Sequence, residues 1–211
     1  MKNVVKIDYA AQGASVRPKI GVVGVGHHTY WGQFPGLLEE MYKKQDVFIE
    51  KLPDYVDVLD FGLIDDAEKA YQAERSMRAA NLNLLFCDMV TYATSGTFAV
   101  IMRNLNIPIV LVALQPLQGL DYAKANTYMQ LMNDDVCSLP EFASVALRLG
   151  KPIPDTIIGT LYDDPAVDIK IDEYCRIARV LHGLKNAHFG HIGHSLRSEE
   201  RRVGKECRSR W

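Results

Sequence analysis

From Lys19 onward, short apolar runs alternate with stretches whose apolar residues recur every three or four positions, the patterns of strand and helix respectively. Lys19 to Val25 predicts a strand, and Phe34, Leu37, Leu38, Met41 and Tyr42 predict the helix after it. A second strand is expected between Val47 and Phe61, then a helix opened by a capping box of Asp65 and Glu68. Leu82 to Cys87 predicts the third strand, and Thr94 or Ser95 starts a helix that ends near Asn106. Ile107 to Leu114 is apolar and β-branched enough to be a strand buried on both faces. Ser138 and Glu141 form a second capping box before Phe142, Val145, Ala146 and Leu149, and Gly150 stands where a helix end wants a residue tolerant of positive φ. Thr156 to Thr160 predicts a short strand, and Asp164-Pro165 opens a helix with Ile171, Tyr174, Cys175, Ala178 and Leu181 on one face. Ala187 to Gly190 is expected to start a further strand.

Strands alternating with helices in this way predict an α/β fold with a doubly wound, mostly parallel sheet, flavodoxin- or Rossmann-like, followed by the start of a second α/β domain. The expected organisation is an N-terminal extension over 1–17, an α/β domain over 18–162, the start of a second over 163–196, and a tail over 197–211. In such a sheet, ligands bind outside the C-terminal strand ends.

Composition narrows the function classes. Of 211 residues, 48% are hydrophobic and 24% charged, which argues for a packed globular chain rather than a disordered one. Residues 197–211 carry six Lys/Arg and three Asp/Glu, so the 196 residues before them hold 18 against 23. That acidic body lacks the clustered basic face that nucleic-acid binding requires. No apolar run approaches the roughly 18 to 20 residues of a membrane span, and the first residues lack a signal peptide's apolar stretch, so a cytoplasmic location is expected. Cys87, Cys137, Cys175 and Cys207 show no metal-site or disulfide spacing and are expected to be reduced, largely buried thiols.

Three loops carry candidate chemistry. After the first strand, Gly24-Val25-Gly26-His27-His28-Thr29-Tyr30-Trp31-Gly32 crowds two imidazoles, a phenol and an indole at the sheet edge, a set suited to hydroxyl and ring contacts with a sugar. A glycine-rich turn with satisfied histidines accounts for the same residues equally well, and the glycines do not fit the dinucleotide fingerprint. Asp88, Thr91 and Tyr92 follow the third strand, and Gln115 and Gln118 the fourth. Singly, Asp88 fits a cap or turn and Gln115 a solvated amide, so their convergence on one edge is the informative expectation. His188, His191 and His194 are spaced by three, but Gly190 and Gly193 interrupt any helix that would bring them together.

Gly26-His27-His28-Thr29-Tyr30-Trp31-Gly32-Gln33-Phe34, Val90-Thr91-Tyr92, Ile107-Pro108-Ile109-Val110-Leu111 leading to Gln115, and the segment from Asn133 to Phe142 resemble L-arabinose isomerases in order and spacing. The resemblance covers roughly residues 18 to 196 and extends to the related L-fucose isomerases. It implies the N-terminal part of a homo-oligomeric enzyme that interconverts an aldose and a ketose with a divalent metal, typically manganese, and two proton-moving carboxylates. By that resemblance Tyr30 and one of His27 and His28 line the sugar pocket, Tyr92 falls on a pocket Phe and Gln115 on a pocket Gln. Cys137 replaces a usual His, and Ala113-Leu114 replaces a His-Thr pair, which puts specificity for arabinose in doubt. The resemblance places the metal ligands and catalytic carboxylates in later domains, so no catalytic or metal residue is assigned, and the chain itself is expected to be inactive. The tail from Arg197 to Trp211 resembles the in-frame translation of a short-read sequencing adapter and is expected to be dispensable. The rival class is a non-catalytic α/β module that binds a small ligand.

Overall fold

A computed structural model describes residues 17–187. The elements run β1 (Lys19–Val25), α1 (Thr29–Gln33), α2 (Leu37–Glu50), β2 (Asp57–Ile64), α3 (Ala67–Ala80), β3 (Leu84–Asp88), α4 (Ser95–Asn104), β4 (Ile109–Gln115), α5 (Thr127–Met132), α6 (Leu139–Arg148), β5 (Asp155–Thr160) and α7 (Pro165–Lys185). The five strands form one sheet in the order β2-β1-β3-β4-β5, and every neighbouring pair is parallel. This is the flavodoxin-like form of the doubly wound fold that the alternation predicted.

Strand side chains alternate between the two faces and meet different helices. Val23, Leu85, Cys87, Leu111 and Ala113 point to a core closed by α3, α4 and α6, with Met77, Phe98 and Phe142 among its fully enclosed residues. Ile20, Val22, Leu84, Phe86, Val110 and Val112 point the other way, under Phe48 of α2 and Val167, Ile171, Cys175 and Ala178 of α7. Burial on both faces is why β1, β3 and β4 are apolar almost throughout.

Several boundaries differ from expectation. Val47 to Glu50, expected to begin a strand, is the last turn of α2, and β2 starts only at Asp57. The N-cap of α3 is Asp66, whose carboxylate accepts from the Lys69 N–H at 2.8 Å, so the capping box expected at Asp65 is displaced by one residue. Gly150, with φ of 64°, ends α6 as expected, and Asp164 caps α7 by accepting from the N–H groups of Ala166 and Val167. Ser138 precedes α6 without capping it; its hydroxyl is used elsewhere.

The largest departure concerns α7, which was expected to open a second domain. It packs on the first sheet, with Ile171, Cys175 and Ala178 fully enclosed, because α2 alone covers only part of that face. Leu181 of its predicted apolar face is exposed. The strand expected at Ala187 to Gly190, the three histidines from His188 to His194 and the tail from Arg197 fall, apart from Ala187, outside the described residues. No helix among those described is long and apolar enough to cross a membrane.

Candidate functional site at the C-terminal sheet edge

Because all five strands run the same way, the segments after β1, β3 and β4 emerge on one edge, and Tyr30, Tyr92 and Gln115 share it. The connection from β1 leads out to β2 while that from β3 leads the opposite way to β4, so the crevice between them is the switch point of the sheet.

At Gly26 the chain leaves β1 under the indole of Trp31. A Cβ on Gly26 would sit 3.0 Å from the ring, so only glycine gives this close approach without displacement. Trp31 is fixed by its N–H, which donates to Asp65 at 2.7 Å. Burial would raise the Asp65 carboxyl, but hydrogen bonds from Lys69 and Trp31 overcome it and hold the group below its usual range. The anchored indole orients α1, which carries Tyr30.

His27 is the hub of an aromatic cluster. Its ring stands edge-on to His28 at 5.1 Å, to Tyr30 at 5.3 Å and to Tyr92 at 6.2 Å, while Tyr30 and Tyr92 lie 6.4 Å apart. Rings at these separations and tilts attract one another and leave faces open to a ligand. His27, Tyr30 and Tyr92 are half-buried; His28 is exposed, and its Nδ1 lies 3.2 Å from the Asp65 carbonyl. Burial, the other phenol and Asp134 raise Tyr30, and burial, Glu141, Cys137 and Asp134 raise Tyr92. Both phenols therefore keep their protons near neutral pH and can donate to a ligand oxygen. Partial desolvation of its sulfur, reinforced by Asp134, pushes the Cys137 thiol up to about 12 although the residue as a whole is exposed, so it offers no thiolate nucleophile. Contrary to the expectation of burial, Cys137 is exposed, whereas Cys87 and Cys175 are buried free thiols.

Gln115 is held on the same edge by the segment between α5 and α6. Its amide donates to the Asn133 carbonyl at 2.7 Å, and the Asn133 side chain accepts from the Leu117 N–H at 2.9 Å. The same segment pins the Tyr92 loop from below. Thr91 donates to the Leu131 carbonyl at 2.7 Å, and the Ser138 hydroxyl both accepts from the Ala93 N–H and donates to the Ala93 carbonyl. Ser138 and Glu141, expected to cap α6, instead serve the loop before α4, with Glu141 accepting from the Ser95 N–H. Gln118 is exposed.

Beneath these loops lies a buried charged group of which the sequence singled out only Asp88. Lys44 of α2, 5% exposed, donates to the Val90 carbonyl at 2.6 Å, the Met132 carbonyl at 2.9 Å and Asp135 at 2.6 Å. Those three contacts use all three ammonium protons. Asp88, at the end of β3, is 4% exposed and Asp135 is 1% exposed, and each has one carboxylate oxygen with no hydrogen-bond partner. Burial pushes Asp88 up to about 7 and Asp135 up to about 8; Lys44 opposes both rises, and Asp88 adds to that of Asp135. One ammonium cannot neutralise two carboxylates, so the group holds a proton near neutrality.

Elsewhere, a cavity of about 420 Å³ opens at the opposite end of the sheet between Met102, Leu105, Pro108, Pro152, Ile153 and Asp155. Its one cation, Lys151, is already bound to the Leu105 carbonyl at 3.0 Å, and it lacks the convergent polar groups of the aromatic edge. Among the described residues no three of His, Cys, Asp and Glu converge to hold a metal ion.

No family profile and no curated protein matches the chain. Among solved structures it is similar to the type II dehydroquinase from Propionibacterium acnes, at 11% identity and a TM-score of 0.36, over 75% of this chain and 98% of that one. A likeness that faint carries no argument about function, and the fold class rests on the strand order and the parallel pairing.

Proposed function

We propose that this chain supplies a sugar-binding wall of an aldose–ketose isomerase of the L-arabinose or L-fucose type. The observation that supports the reading is the cluster of His27, Tyr30 and Tyr92 at the switch point between β1 and β3, with Gln115 on the same edge. Such an edge is where α/β sheets bind ligands. Ring faces suit the apolar C–H side of a sugar, and protonated phenols suit its hydroxyls. By the resemblance, Tyr30 and one of His27 and His28 line the pocket, and Tyr92 and Gln115 fall on pocket positions. Manganese would polarise the substrate oxygens in the complete enzyme. The described residues do not fit it, since no three ligands converge, so no step through the metal is derived from them.

Titrating the purified chain with L-arabinose and L-fucose should perturb the ring signals of Tyr30 and Tyr92, and Tyr92→Ala should weaken binding by about tenfold, or about 1.4 kcal/mol. Failure of either sugar to move those signals would refute the pocket. The purified chain supplied with manganese should bind aldose without turning it over; isomerisation would show that the residues present hold the metal after all.

A further inference from the structure

Lys44 lies too deep to serve a ligand, yet its three hydrogen bonds reach both loops that carry site residues. The Val90 carbonyl belongs to the loop bearing Tyr92. The Met132 carbonyl and Asp135 flank Asn133, which holds Gln115. Thr91 and Ser138 tie the same two segments together, so the Tyr92 loop cannot shift without dragging the Gln115 support. Every ammonium proton is used, and Asp88 receives none of them. We propose that Lys44 is a positioning residue for the aromatic site, setting Tyr92 and Gln115 together, and that the carboxyl pair of Asp88 and Asp135 makes this setting sensitive to pH. The inference deepens the binding reading above and rests on it for its functional meaning, but not for its geometry.

The groups around the pair come from every neighbouring element. Lys44 projects from α2, Asp135 from the segment after α5, and Cys87 adjoins Asp88 on β3. Around the rings stand His27, Tyr30, Asp134, Cys137 and Glu141. Cys87 is pushed far above its ordinary range by burial and by Asp88, so it stays neutral, and both phenols are raised as well. Below neutrality Asp88 and Asp135 hold protons and the buried group carries the single charge of Lys44. As pH rises through about 7 and then about 8, two anions face one cation whose donors are already committed. The second anion repels the first and strains the Lys44 brace.

Asp88→Asn keeps the shape and fixes the neutral form, which makes it the informative variant. Side-chain amide signals of Gln115 and ring signals of Tyr92, followed by NMR from pH 5.5 to 8.5 without ligand, should inflect between pH 6 and 8 in the wild-type chain. The inflection of Gln115 should shrink and shift to lower pH in Asp88→Asn, which leaves Asp135 to titrate without the neighbouring anion, and should persist unchanged in His27→Gln, which removes the neighbouring imidazole. A purely structural Asp88 would change stability and leave the profile in place. Equal inflections in the wild-type chain and Asp88→Asn would overturn the proposal, as would a flat wild-type profile, which decides the matter even if Asp88→Asn fails to fold. Sugar binding is measured separately on the same samples. A titrating Gln115 in a chain that binds no sugar keeps the positioning role and removes the binding reading. A flat profile in a chain that binds does the reverse.

Discussion

Lys44→Met is expected to destabilise the chain by about 3 to 5 kcal/mol at pH 8, because removing one partner of a buried ion pair strands the other. The side chains are similar in length, so little packing is lost and the effect is electrostatic. Asp135 would lose its hydrogen bond at 2.6 Å, and the carbonyls of Val90 and Met132 would lose a charged donor. The cost should depend on pH with a definite sign. Asp88 and Asp135 are raised in the folded chain, so their protonated forms favour folding at low pH, and that contribution fades as pH climbs through about 7 and about 8. Without Lys44 both rise further. The variant should therefore lie closest to wild type near pH 5 and furthest from it at pH 8. Urea unfolding at those two pH values checks this. A cost below about 1 kcal/mol at pH 8 would mean that water reaches the group and that its charges are not sealed in. Adding Asp135→Leu should recover part of the loss, since a buried pair replaced as a unit by apolar groups is often tolerated.

The same residue explains what the sequence concealed. The buried face of α2 is Leu37, Met41, Lys44, Gln45 and Phe48, a regular helical stripe whose middle is polar. Judged by apolar spacing, the helix stops at Tyr42 and the run Val47-Phe48-Ile49 looks like the start of a strand. Nothing local shows that Lys44 has found three acceptors in chain segments 46 to 91 residues away. A buried charge is legible only through its partners, and these lie on two distant segments. The Ser138 and Glu141 pair failed for a related reason. The spacing fitted a capping box, but a hydroxyl and a carboxylate can satisfy any N–H within reach, and the loop before α4 presented two.

What could be read was set by the sheet. β1, β3 and β4 are buried on both faces and so nearly uniform in sequence, and a residue placed after such a strand must emerge at its C-terminal edge. That argument alone brought His27, Tyr30, Tyr92 and Gln115 to one side. It could not tell that His27 rather than His28 would be the hub of the cluster, because that depends on the turn of α1, which Trp31 fixes through Asp65, 34 residues on. Nor could it assign α7 to this sheet. The apolar face of that helix was visible, but which sheet it would cover depended on how much of the face beneath β4 and β5 α2 left open.

The core on the other face supports a prediction of similar size and different cause. Phe98 of α4 and Phe142 of α6 are fully buried and stacked, with centroids 4.4 Å apart and ring planes 13° from parallel. Their contact is what docks α6 onto α4, and α6 in turn carries Ser138 and Glu141 to the loop beneath Tyr92. Phe142→Ala should cost about 3 to 5 kcal/mol, the lost transfer of a buried ring plus the cavity it leaves. Unlike the loss at Lys44, this cost should barely change between pH 5 and pH 8, since no titratable group is stranded. Phe142→Leu should cost less than half as much, because most of the volume is kept. In a double-mutant cycle with Phe98→Ala the two losses should fall short of additivity by about 0.5 to 1.5 kcal/mol, the worth of the ring pair beyond its buried area. Additive losses would show that the rings pack independently and that α6 is held by its remaining contacts, Leu139 and Ala146 among them. A cost for Phe142→Ala that grew steadily with pH would instead tie this core to the buried carboxyls of Asp88 and Asp135, whose neighbours Cys87, Met89 and Val136 line it.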